Sequence, residues 1–181
     1  MDAALLKKIA LIFAATLGSI FFQASVLHYL SPALIIPNFV FLIAVALSLY
    51  EVTPLGAVLV FLVGLLFDLC TGVLVGPSAG AFVFIFGILA VLSSRMFVDS
   101  WFPLMVTVFV ASLVSNLVYG LLVYQFAPVI SRSFSAVFVE ALFSSLLAPA
   151  VIPLIRGIIV KNERATSGKV TRRRSRTKNS P

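Results

Sequence analysis

The stretch LGAVLVFLVGLLFDLCTGVLV, residues 55–75, is apolar throughout except for one charge, Asp68. As a helix rising 1.5 Å per residue, it is long enough to cross the ~30 Å of hydrocarbon in a bilayer. Residues four apart lie on nearly the same helical face, so Gly64, Asp68, Gly72 and Gly76 read as one stripe. Small residues let another backbone approach closely in lipid, and an ionisable group at membrane depth costs about 2.5–3.5 kcal/mol on insertion scales and needs a partner. The stripe is therefore expected to face protein, a cavity or a ligand. Two readings of Asp68 follow: a hydrogen-bonded carboxyl group locking two helices, or a ligand, proton or partner site facing a pocket.

The whole chain has the same character. It is 61% hydrophobic and 10% charged, whereas about a quarter of the residues in a soluble domain are charged. Continuous apolar runs, rather than period-two alternation, point to helices and away from a β-barrel. The expectation is an all-α integral membrane protein. Cys70 is the single cysteine, which excludes an intramolecular disulfide and a cysteine-based metal cluster.

Six apolar runs can be drawn, over residues 9–30, 34–50, 55–75, 78–98, 102–126 and 134–160. They predict a six-transmembrane-helix bundle occupying residues 1–160, with short connections and no extramembrane domain. Pro37-Asn38 marks the outer start of the second helix, because proline is tolerated in a first helical turn. Pro149 and Pro153, four apart in the last run, predict a bend there.

The net charge of +7 is local. Residues 1–160 balance five acids (Asp2, Glu51, Asp68, Asp99, Glu140) against five bases (Lys7, Lys8, Arg95, Arg132, Arg156). Residues 161–181 carry eight bases (Lys161, Arg164, Lys169, Arg172, Arg173, Arg174, Arg176, Lys178) against Glu163 alone. With so few apolar side chains this segment is expected to be a disordered basic cytoplasmic tail. Its arginines Arg172, Arg173, Arg174 and Arg176 suit anionic inner-leaflet lipid better than nucleic acid. An even number of crossings puts both termini on one side. The basic residues make that side the cytoplasm, with Arg132 the exception.

Few polar residues remain within the runs. Glu140 lies about two turns into the last one, with Ser144 and Arg132 as neighbours able to satisfy it. A carboxyl pair with Asp68, which would suggest proton or cation coupling, requires those helices to touch. Ser112, Asn116 and Tyr119 share one face of the fifth run and are explained by interhelical hydrogen bonds. His28 is the only histidine. Without a Gly-x-Ser-x-Gly context or a His/Cys cluster, the chain offers neither a serine-hydrolase nor a metal reading, and no glycine-rich phosphate cradle is present. No enzymatic activity, metal or cofactor is expected.

Pro37-Asn38-Phe39-Val40, the helix ending at Tyr50, and Gly64-Leu65-Leu66-Phe67-Asp68-Leu69 with Gly72 and Gly76 resemble the bacterial rod shape-determining protein MreD family. The likeness at residue level covers roughly residues 37–86. The long basic tail departs from many family members. The resemblance implies a non-enzymatic inner-membrane scaffold of the cell-elongation machinery. Such a scaffold binds the single-span protein MreC and works with the MreB filament, RodA and its transpeptidase in lateral peptidoglycan synthesis and rod shape. It also implies a fold similar to the six-helix substrate-binding subunits of energy-coupling-factor transporters. The alternative function is accordingly a solute-binding subunit of a vitamin-type transporter. On the scaffold reading Pro37, Asn38, Gly64, Asp68, Gly72 and Gly76 contribute to partner or ligand binding.

Overall fold

The computed structural model describes residues 3–27, 37–71, 74–93, 100–126 and 134–178, the last of these with side chains as far as Gly157. The described residues form α-helices, with no strand among them. They are α1 (Ala3–Phe22), α2 (Phe39–Tyr50), α3 (Pro54–Thr71), α4 (Pro77–Ser93), α5 (Trp101–Phe126) and α6 (Phe134–Lys178). The wider π-helical turn Gln23–Leu27 continues α1.

Four helices are long and apolar enough to cross a membrane, over Leu5–Ser25, Pro54–Thr71, Trp101–Tyr124 and Phe134–Gly157. The other two are shorter over the described residues, which break off at the last residue of α4. α2 has 12 residues and α4 has 17, or roughly 18 and 26 Å at 1.5 Å per residue. α2 begins only after Pro37-Asn38, and the first part of the expected second run lies outside the described residues.

The arrangement follows from which helices have somewhere to hide. α2, FVFLIAVALSLY, is apolar on every side, and Val40 to Leu49 are buried without exception. A helix of that kind belongs inside a bundle. The other five close a ring around it, in the order α1, α3, α4, α5, α6 and back to α1, and each also touches α2. Outside the ring the surface stays apolar: Val91, Leu117, Leu146 and Leu154 are each at least 65% exposed. An exterior as hydrophobic as the interior suits hydrocarbon as solvent, and identifies a helical membrane protein.

α6 is continuous across Pro149 and Pro153. Its backbone runs on as helix through the basic segment to Lys178, where composition alone predicts disorder. Extending an existing helix adds one hydrogen bond per ordered residue without a new nucleation cost, which is how a segment unable to fold alone takes helical form.

Candidate functional site

Asp68 lies in the last turn of α3 and is 1% exposed. Its carboxylate reaches across to the start of α4. Oδ2 accepts from the backbone N–H groups of Gly76 at 2.8 Å, Ser78 at 3.1 Å and Ala79 at 3.3 Å, and Oδ1 also accepts from Ser78 at 3.3 Å. The first N–H groups of a helix have no intrahelical acceptor. Ordinarily the residue just before the helix supplies a side-chain oxygen. Here that residue is Gly76, which has none, and Asp68 from the preceding helix does the capping. The negative charge also complements the positive end of the α4 dipole. At the end of α3, Thr71 Oγ1 donates to the carbonyls of Phe67 and Asp68 at 3.0 and 3.1 Å.

The glycines make this hairpin tight. A Cβ at Gly64 would stand 2.6 Å from Ala79 Cα and 2.9 Å from Ala79 N, so α3 and α4 meet backbone to backbone one turn below Asp68. Gly76 has φ +117°, a conformation that side-chain-bearing residues rarely adopt. Because α3 ends at Thr71, Gly76 sits in the turn and not on the helical stripe expected from sequence. Gly72 lies outside the described residues. Beneath the cap, Phe82 stacks on Phe67 with centroids 6.4 Å apart and tilts against Phe41 of α2 at 5.8 Å, tying the hairpin to the central helix.

Pro37 and Asn38 immediately precede α2, Asn38 as its N-cap, and Pro37 does not lie in the first helical turn as expected. Asn38 Oδ1 accepts from Phe41 N–H at 3.0 Å, the N-cap geometry, while Asn38 N–H donates to Ser144 Oγ of α6 at 3.2 Å. Gln23, in the π-helical turn, donates to the Pro37 carbonyl at 3.3 Å. Both residues thus anchor the start of α2 to α1 and α6. Glu140 is buried on α6, but α3 and α6 are not one of the packed helix pairs, so no shared interface brings it to Asp68. His28 and Arg132 lie outside the described residues.

Sequence reasoning missed a second polar cluster, where α2 turns into α3. Lys8 Nζ of α1 donates to Glu51 Oε2, and both side chains are buried. Thr53 Oγ1 donates to Glu51 Oε1 at 3.4 Å and accepts from Gly56 N–H at 3.1 Å, so Thr53 is the N-cap of α3 with Pro54 as its first residue. A Cβ at Gly56 would lie 2.0 Å from the Glu51 carbonyl oxygen. Arg156 of α6 lies over the Tyr50 ring, 5.1 Å from its centroid. The available signal was Thr53-Pro54 followed by Gly56, a helix start directly after an acid.

Chemically, these groups cap, pair and hold. Among the described residues every buried side-chain nitrogen and oxygen has a hydrogen-bond partner. No family model, curated protein or solved structure matches the chain.

Proposed function

We propose that the protein is a non-enzymatic scaffold of the bacterial cell-elongation machinery, similar to MreD, which binds a single-span MreC-like protein in the inner membrane. The observation that carries this reading is where the family-like residues fall. Residues 37–86 take in α2, α3 and over half of α4, the central helix and the hairpin packed on it. Two of their polar side chains bond within the bundle: Asn38 caps α2, and Asp68 caps α4. A rigid centre of this kind fixes the outer faces of α1, α5 and α6, and a scaffold works by offering such faces to other membrane helices. In lipid those contacts rest on close packing and a few hydrogen bonds.

The same reading has six crossings with both termini cytoplasmic. Lys8, Glu51 and Arg156, joined or stacked at one end of the bundle, then lie on the inner side, in keeping with the positive-inside tendency. Arg172, Arg173, Arg174 and Arg176 sit beyond that end and meet anionic lipid, at about 1 kcal/mol per basic residue near the surface. The MreB filament, RodA and its transpeptidase are indirect partners.

The test is genetic. Depleting the protein from its own bacterium is expected to turn rods into spheres, with rescue by the intact chain. Rods of unchanged width and length after depletion refute the scaffold reading. Loss of uptake of a vitamin-type solute in place of a shape defect moves the protein to the solute-binding class.

A further inference from the structure

We propose that α5 carries a self-association face centred on Asn116, at which a second copy of this chain completes the hydrogen bonding of the Asn116 amide across a two-fold axis. This inference is independent of the scaffold reading and requires only that α5 cross a membrane.

Asn116 is sixteenth of the 26 residues of α5, well inside the span Trp101–Tyr124. Its Nδ2 donates to the Ser112 carbonyl one turn back, at 3.0 Å. Its Oδ1 accepts no hydrogen bond from any described residue. The contrast is with the bundle interior, where every buried side-chain nitrogen and oxygen of the described residues is satisfied. Asn116 is only half-buried, on the rim of the outward stripe. Hydrocarbon offers no donor to an amide oxygen at that depth, so the group calls for one from another chain.

The surroundings favour a close helix. At Gly120, one turn after Asn116, a Cβ would have nothing within 4 Å, which leaves room for an approaching backbone. Leu117, Leu121 and Tyr124 flank it, exposed by 65%, 61% and 68%. The occupant follows from the amide itself. It is donor and acceptor at once, and on a two-fold axis each residue meets its own copy. The oxygen of one Asn116 then accepts from the remaining N–H of the other, and the reverse, at matched depth. A different protein would have to bring a donor of its own to that depth.

The experiment uses the full chain in mild detergent and in membranes, with mass measured by light scattering. Cysteine cross-linking is run in a Cys70→Ser background. A dimer is expected, with disulfides forming from Leu117→Cys and Gly120→Cys but not from Val91→Cys on α4 or Leu154→Cys on α6. Asn116→Leu should weaken self-association roughly 5- to 30-fold, the range of one interhelical polar contact in model peptides. Asn116→Gln should retain most of it. Gly120→Leu, which blocks approach without touching the amide, should match Asn116→Leu while helicity stays at the parent value. A monomer, equal cross-linking at the control positions, or a dimer indifferent to both Asn116→Leu and Gly120→Leu overturns the proposal. So does a monomer from which Asn116→Leu strips a different membrane protein.

Discussion

Replacing Asp68 with alanine removes the acceptor for three backbone N–H groups at once. Those of Ser78 and Ala79 belong to buried residues, while Gly76 is half-buried and within reach of water at the membrane face on the proposed topology. A buried donor left unpaired costs about 1–3 kcal/mol, and loss of a helix cap by itself typically about 0.5–2. With two buried donors orphaned and partial relaxation of the turn, Asp68→Ala is expected to destabilise the bundle by roughly 2–4 kcal/mol. Asp68→Asn with its oxygen in the Oδ2 position keeps the acceptor for Gly76, Ser78 and Ala79 but loses the charge and sets its NH2 against the Ser78 N–H in place of Oδ1, and about half that loss is expected. Unfolding in mixed micelles of mild and denaturing detergent, followed by circular dichroism, measures both. Asp68→Ala as stable as the parent refutes the capping argument. Normal stability with loss of a bound partner would return Asp68 to the outward-facing role that its sequence setting also allowed.

Gly64→Ala places a methyl 2.6 Å from Ala79 Cα and is expected to cost about 1–3 kcal/mol as overpacking, whereas Gly87→Ala, with nothing within 4 Å, leaves unfolding unchanged in the same micelle titration. Lys8→Met or Glu51→Met alone strands the buried partner charge, a loss of about 3–5 kcal/mol, while the double replacement restores most of it; a double-mutant cycle in melting temperature is the check. Removing residues 165–181 should leave melting unaltered and reduce sedimentation with vesicles containing anionic lipid, the reduction fading as salt is raised.

Much of the architecture is legible in apolar run lengths. The helices, the start of α2 at Pro37-Asn38, and the meeting of α3 with a second backbone at Gly64 all follow from residue type and spacing. What sequence could not supply is depth. An apolar run of seventeen residues at 34–50 reads as a membrane span, yet its helix has 12 residues, sealed inside a ring. Uniform hydrophobicity does not distinguish contact with lipid from contact with neighbouring helices. The same limit hid the role of Asp68. Four-residue spacing placed it on a stripe with Gly76, but Gly76 has φ +117° and is not helical, and the partners of the carboxylate are backbone N–H groups that no side-chain motif records. Lys8 and Glu51, 43 residues apart, were legible only as charges that cancel.

The most direct test of the scaffold reading is the identity of what the protein carries out of the membrane. Solubilised in mild detergent, captured by a tag and analysed by mass spectrometry, the full chain is predicted to bring with it a single-span protein whose external part is a coiled coil, in fixed ratio. Recovery instead of an ATPase-containing complex and a small organic solute, with no such single-span protein, contradicts it.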